Sequence, residues 1–174
     1  MRIHHCLVLL MGLGFVLASD AEDDLQRLRR QTREFEWAPV NPEKTLVGQA
    51  DRWARELRPD GSWSDVNYAD QSRGFWKTED HLKRVWSMAT LYAEERTLGR
   101  RNSALEKAAL AATHFWINHD FRNPNWWHNE IAVPKYLVTA ILLMQDEMPV
   151  PDKENGLKIA ARWVSMSDEP ELRS

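Results

Sequence analysis

The chain has 174 residues, which is enough for one domain with a sizeable buried core. Its 43% hydrophobic and 28% charged residues are typical of a soluble globular protein. The net charge of -3 argues against nucleic acid or an anionic membrane surface as a partner, and any anionic ligand would need a local basic patch. Two arginine groups could form such a patch or simply line solvated helix faces: Arg52, Arg55 and Arg58, and Arg96, Arg100 and Arg101.

Residues 1–21 have the pattern of a secretory signal peptide. A short positive segment precedes an apolar stretch, residues 6–17, that is too short to span a bilayer comfortably. Small residues then allow cleavage after Ala18 or Ala21. Cys6 is the only cysteine, and it comes before most of the apolar stretch, which argues against a lipoprotein and against disulfides in the mature chain. We therefore expect a secreted or periplasmic protein whose single domain spans residues 22–174, with no membrane partner.

The rest of the chain is predicted to be all-α, because apolar residues recur at helical spacing and no alternating run suggests a strand. Residues 22–35 form a weakly amphipathic lead-in or first helix. Capping and turn signals then mark five helices, at Asn41-Pro42, Thr78, residues 103–106, Pro134 and residues 149–152, with stops at residues 59–61 and Gly99. The last helix is expected to turn Leu157, Ala160, Ala161 and Val164 inward. Helices of similar length with short connections predict stacked antiparallel hairpins.

Residues 125–134, Asn-Trp-Trp-His-Asn-Glu-Ile-Ala-Val-Pro, form the most informative motif. An indole face stacks on the C–H face of a sugar ring, and neighbouring amides and imidazoles can orient hydroxyl groups. Trp126 and Trp127 are therefore candidates for a sugar platform, with Asn125, His128 and Asn129 beside them. The alternative is that the indoles belong to the core, although adjacent side chains point in different directions and at most one is expected to be fully buried.

This motif resembles a signature of polysaccharide lyase family 8, which includes hyaluronate, xanthan and chondroitin AC lyases. Residues 57–68, Leu-Arg-Pro-Asp-Gly-Ser-Trp-Ser-Asp-Val-Asn-Tyr, resemble the family's turn between its first long helices, and Trp76 and His81 follow at spacings similar to the chondroitin AC branch. The resemblance runs from about Thr45 to Val164. It implies an incomplete α/α toroid of helical hairpins, of which this chain would be the N-terminal part.

The resemblance also implies β-elimination next to a uronic acid in an acidic, glycosaminoglycan-like polysaccharide. An asparagine neutralises the carboxylate while a histidine and a tyrosine handle protons near an arginine, and no metal or cofactor takes part. In the family these residues lie in later helices, so no catalytic residue carries over to this chain. What carries over is the aromatic patch of Trp126 and Trp127.

The histidines and tyrosines present here suggest no acid–base or metal site. His114 and His119 are five positions apart and on different helix faces, and His128 with Glu130 provides only two ligands. Three hypotheses follow. The chain is the N-terminal piece of a secreted lyase and inactive without the remainder, or it is a stand-alone carbohydrate-binding helical module, or it is a helical protein whose open apolar face docks a partner.

Overall fold

A computed structural model describes residues 26–28, 31 and 47–162. The predicted signal peptide, the Asn41-Pro42 cap and Val164 lie outside the described residues, as does most of the lead-in segment. Residues 26–28 are helical and exposed, and they belong to a separate compact unit, residues 1–38. The second unit, residues 39–174, contains the described residues 47–162.

The described part of the second unit consists of helices and connecting turns, without a strand. A 3₁₀ turn, Val47–Gln49, leads into the short helix α1, and two long helices follow before a π-helical turn and two further helices. The bounds are α1 Ala50–Glu56, α2 Glu79–Thr97, α3 Ser103–His119, the π-turn His128–Ala132, α4 Val133–Met144 and α5 Val150–Ala160. The all-α prediction is confirmed.

The helices pack as two hairpins. α2 packs against α3 after a short turn, and α4 packs against α5 after another, so each pair is antiparallel. α2 also packs along α4, which joins the hairpins, while α1 covers α2 and α3 at one end. One core cluster includes Trp53, Trp63 and Met88, and a second includes Trp76, Trp116 and Leu137. The second cluster lies beside the π-turn that carries the tryptophan motif.

The helix ends follow the predicted signals in part. Gly99 has φ 73° just after α2 and Pro134 lies in the first turn of α4, as expected. The predicted capping box at residues 103–106 is wrong, because the cap is Asn102, whose Oδ1 accepts the N–H of Leu105 at 3.1 Å. Thr78 precedes α2 without capping it, since its hydroxyl donates to the Asn67 carbonyl at 2.8 Å.

The inward face predicted for α5 is rotated from the observed one. Leu157 is 48% exposed and Ala161 is exposed, whereas Asp152, Gly156, Ile159 and Ala160 are buried. The reason lies at Gly156, where an added Cβ would come within 2.9 Å of Ile141 Cδ1. Gly156 has no side chain, so α5 can approach its neighbours closely at this position. The spacing of apolar residues does not reveal such a contact.

Candidate functional site

The tryptophan motif occupies the helical turn that leads into α4. The N–H of Val133 donates to the carbonyl of His128, five residues back, which makes His128–Ala132 a π-helical turn. Such turns insert one extra residue into a helix and occur frequently at functional sites. Trp126 and Trp127 lie immediately before this turn, and Asn125 precedes them and accepts the Trp127 N–H on Oδ1 at 3.1 Å.

Both indoles of the motif remain open to solvent. Trp126 is 52% exposed and Trp127 is 46% exposed, so the alternative that they are core residues is wrong. The edge of the Trp127 ring meets the buried ring of His128 at a centroid distance of 5.3 Å. One side of Trp127 is thereby supported from within the fold while the rest of it is available to a ligand.

Asn125 lies partly exposed at the rim of the motif, with its amide committed to the backbone. Its Nδ2 donates to the Arg73 carbonyl at 2.8 Å, while its Oδ1 holds the Trp127 N–H. Its own N–H donates to Asn123 Oδ1 at 2.8 Å. Asn125 therefore fixes the chain leading into the two tryptophans and joins it to the loop of residues 70–77.

Asn129 is buried and holds the segment that precedes the tryptophans. Its Nδ2 donates to the Asn123 carbonyl at 2.7 Å, and its Oδ1 accepts the Asn123 N–H at 2.9 Å. The side chain of Asn123 in turn donates to the Ser72 carbonyl at 3.1 Å. A paired donor and acceptor of this kind satisfies both backbone groups of one residue, which buried backbone requires.

His128 is also buried, below Trp127. Its Nδ1 donates to Oε2 of Glu79 at 2.5 Å, in the first turn of α2. Its ring contacts that of Trp76 edge-on, with centroids 5.4 Å apart. The second Glu79 oxygen lies 3.3 Å from Nζ of Lys83, so the carboxylate has partners on both oxygens. Of the five predicted site residues, two are thus exposed rings, one lies at the rim and two lie inside.

Phe75 is an exposed ring near this site that the sequence did not single out. It is 87% exposed, and it lies between Gly74 and the buried Trp76 in the loop of residues 70–77. The carboxylate of Asp70 holds that loop by accepting the Ser72 hydroxyl and N–H, at 2.7 and 3.1 Å, and the Lys77 N–H at 2.6 Å. These bonds lower the pKa of Asp70, and the bond from the Ser72 hydroxyl has the largest effect. An apolar residue within a polar loop was the available signal.

The described histidines form no arrangement suited to proton transfer at the tryptophan site. His81 is completely buried, where its Nε2 donates to the Ala112 carbonyl at 2.8 Å and its Nδ1 accepts the Tyr68 hydroxyl at 2.9 Å. Burial lowers the pKa of His81 to about 3. His114 is occupied on both ring nitrogens, by Asp152 at 2.8 Å and by Asn118 at 2.8 Å. Within residues 47–162 no three metal-ligating side chains converge.

Of the six arginines considered as a basic patch, three make ion pairs with described acidic residues. Arg52 pairs with Glu56 at 3.8 Å, Arg101 pairs with Glu106 at 3.4 Å, and Arg96 pairs with Asp146 at 3.5 Å and with Glu147. This pairing favours the interpretation of solvated helix faces. Among the helices described, none combines the length and apolarity needed to cross a membrane.

Comparison with known proteins identifies the family. The family described as polysaccharide lyase family 8, N terminal alpha-helical domain, matches residues 20–171. Chondroitinase-AC of Pedobacter heparinus is 31% identical over 104 residues, which are 60% of this chain and 15% of that protein. A chondroitinase AC lyase solved in complexes with oligosaccharides shares the fold, with a TM-score of 0.67 at 24% identity over 86% of this chain and 22% of that chain.

The chain thus spans less than a quarter of the length of the relatives it matches. The shared fold identifies the two helical hairpins as part of an α/α toroid, which confirms the predicted architecture. Because the family match covers nearly all of the sequence, the chain belongs to polysaccharide lyase family 8, within its N-terminal α-helical domain.

Proposed function

We propose that this chain forms one wall of the sugar-binding cleft of an exported polysaccharide lyase and that Trp126 and Trp127 are its sugar platform. The polysaccharide is an acidic, uronic-acid-containing chain of the chondroitin or hyaluronan type, in keeping with the chondroitinases that resemble this sequence. The observation that supports the proposal is the half exposure of two adjacent indoles in a segment otherwise fixed by buried hydrogen bonds.

The platform suits a pyranose ring for a simple reason. The flat indole face removes the apolar C–H face of a sugar from water without requiring hydrogen bonds, so a polymer can bind through repeated ring contacts. Each indole is expected to account for about tenfold in affinity, or roughly 1.4 kcal/mol. Asn125, His128 and Asn129 contribute by holding the two rings in place, which lowers the entropic cost of binding.

Elimination next to a uronate requires three groups: one to neutralise the carboxylate, a base to remove the adjacent proton and an acid to protonate the leaving oxygen. Among the described histidines, His81 is buried and bonded on both ring nitrogens, and His114 is likewise bonded on both. In this proposal the remainder of the lyase supplies the proton-transfer groups and this chain supplies binding. The isolated chain is then expected to produce no unsaturated uronate from chondroitin sulfate or hyaluronan.

The test is calorimetric titration of the chain with chondroitin oligosaccharides, together with an absorbance assay for unsaturated uronate. The double change Trp126→Ala, Trp127→Ala should weaken binding about a hundredfold, to a level that the titration no longer detects. A matched control, Leu98→Ala with Leu157→Ala, removes two exposed apolar side chains from other positions and should leave affinity unchanged. Unchanged affinity in the tryptophan variant would reject the sugar platform. Turnover by the pure chain would reject the proposal that the remainder of the lyase supplies the proton-transfer groups.

A stand-alone binding module is the second candidate, since the same exposed indoles would serve it. Fusing or adding the catalytic helices of a family 8 lyase to this chain distinguishes the two functions. Restored elimination that depends on Trp126 and Trp127 supports the lyase function. Sugar binding without any such restoration supports the module.

Export is part of the proposal and rests on the signal-peptide pattern of residues 1–21. Expression of the full chain in a bacterial host followed by mass spectrometry of the exported fraction tests it. The expected mature N-terminus follows Ala18 or Ala21. Retention of the intact N-terminus in the cytoplasm would contradict it.

A further inference from the structure

We propose that the sugar site extends onto the loop of residues 70–77, where Phe75 stacks against a further sugar and Arg73 and Arg122 bind its carboxylate or sulfate. The inference rests on the proposed function, because it extends the platform of Trp126 and Trp127 along a bound anionic chain. It assigns binding roles to three residues that lie outside the tryptophan motif.

The loop of residues 70–77 and the tryptophan motif are parts of one hydrogen-bonded surface. Asn125, next to Trp126, donates to the Arg73 carbonyl at 2.8 Å, and Asn123 donates to the Ser72 carbonyl at 3.1 Å. Gln71 reaches back to the Arg122 carbonyl at 3.4 Å. These contacts place Arg73 and Arg122 at the junction between the two segments.

A chain of ring contacts also connects Trp76, the neighbour of Phe75, with the platform. Trp76 is buried and meets the His128 ring at 5.4 Å, and His128 meets the Trp127 ring at 5.3 Å. The Trp76 indole N–H donates to the Asp70 carbonyl at 2.9 Å, which fixes its direction. Because adjacent side chains point apart, the inward position of Trp76 directs Phe75 outward.

The exposure of Phe75 has a cost that stacking on a ligand would recover. A phenyl ring that is 87% exposed gains little of the stabilisation that burial in the fold would give it. The loop that presents it is held by the three hydrogen bonds to Asp70 rather than left to collapse onto the core. Presentation of an apolar ring on a fastened loop is typical of a binding surface.

Arg73 and Arg122 are exposed, and neither makes an ion pair with a described residue. The nearby carboxylates are already occupied, since Asp70 binds its own loop and Asp120 binds Arg162 at 2.8 Å. A guanidinium pairs with a carboxylate or a sulfate through two parallel N–H donors. In a chain of net charge -3, this local pair provides the attraction for an acidic polymer that the whole molecule lacks.

The experiment is titration of the full chain with oligosaccharides of chondroitin sulfate, of hyaluronan and of carboxyl-reduced, desulfated chondroitin. Arg73→Gln with Arg122→Gln should weaken binding of chondroitin sulfate at least tenfold at low salt and should leave the neutral ligand unaffected. Wild-type affinity should fall with added salt more steeply than that of the variant. A loss for hyaluronan identifies the carboxylate as the partner, and a loss confined to chondroitin sulfate identifies the sulfate.

Phe75→Ala should weaken all three ligands about tenfold, independently of salt. The charge control is Arg55→Gln with Arg58→Gln, two exposed arginines at the end of α1, which should bind as wild type. The inference fails if the Arg73/Arg122 and Phe75 variants bind normally while the Trp126/Trp127 variant does not, and the proposed platform then stands. It fails equally if the charge control loses the same affinity. Absence of binding by the wild type rejects both.

Discussion

Nδ1 of His128 lies 2.5 Å from Oε2 of Glu79, so a buried pair fastens the tryptophan segment to the first turn of α2. Both side chains are more than nine-tenths buried, and the two residues are 49 positions apart in the sequence. The support of the Trp127 ring therefore depends on a helix that begins far from the motif. Residues that stabilise the site can therefore be changed without changing the exposed rings that are proposed to contact the sugar.

Replacement of Glu79 by alanine should destabilise the fold strongly. It leaves the buried His128 N–H without its acceptor and removes one partner of Lys83, and breaking a buried pair costs about 3–5 kcal/mol. Urea denaturation followed by circular dichroism measures the change. The control Glu56→Ala breaks the exposed pair with Arg52 and should cost less than about 1 kcal/mol. Equal losses in both variants would contradict a supporting role for the buried pair.

Asn129→Ala should disturb the approach to the tryptophans. The change leaves the N–H and the carbonyl of Asn123 unpaired inside the protein, at a cost of about 1–3 kcal/mol for each group. We expect the free energy of unfolding to fall by at least 2 kcal/mol or so and sugar affinity to fall at temperatures where the variant is still folded. Asn118→Ala, at an exposed asparagine bonded only to His114, should change stability by less than about 0.5 kcal/mol. Native sugar affinity in folded Asn129→Ala would show that the hydrogen bonds between Asn129 and the Asn123 backbone do not position the rings.

Local patterns were sufficient to predict the all-α architecture and two of its helix-end signals, whereas the exposure of the two tryptophans was left open against a core alternative. Apolar spacing, Gly99 and Pro134 are signals within a few residues, and they act on the backbone directly. These successes share one property: each depends on residues adjacent in the sequence.

The inward positions of His128 and Asn129 could not be predicted in the same way. A polar residue is buried only when a partner satisfies it, and the partner of His128 lies on another helix. The orientation of α5 has a similar origin, because Gly156 packs against Ile141 and Ile117 from two other helices. Phe75 was missed because its exposure follows from the burial of Trp76.

Gly61→Ala should destabilise the turn after α1 far more than Gly99→Ala destabilises the end of α2. Both glycines have positive φ, 88° and 73°, so each substitution carries about 1–2 kcal/mol of backbone strain. At Gly61 the new Cβ would also lie 2.5 Å from the Ala111 carbonyl oxygen, whereas at Gly99 it would meet nothing within 4 Å. We expect a loss of about 3 kcal/mol or more at Gly61 and about 1 kcal/mol at Gly99, measured by thermal and urea unfolding. Similar losses at the two positions would show that strain, and not the close approach of α3, determines the cost.

His81 should make the fold sensitive to acid well before the carboxylates titrate. Burial lowers the pKa of His81 to about 3, while the unfolded side chain has a pKa near 6.5. Between these values the unfolded chain binds a proton that the native chain does not. The contribution of His81 is therefore complete above pH 6.5 and is lost as the pH falls, by about 1.4 kcal/mol per pH unit.

The measurement is the free energy of unfolding in urea between pH 7 and pH 5, a range above the ordinary titration of aspartate and glutamate. The groups facing His81 are the Tyr68 hydroxyl, the Arg84 guanidinium and His119. His81→Gln should be less stable than wild type at pH 7, because glutamine cannot serve both Tyr68 and the Ala112 carbonyl in the same geometry. Its stability should nevertheless vary less with pH, so that the two curves converge on acidification. The control His119→Gln changes an exposed ring and should retain the wild-type dependence of the free energy of unfolding on pH. Loss of that dependence in the control would show that His119, and not His81, causes the acid sensitivity.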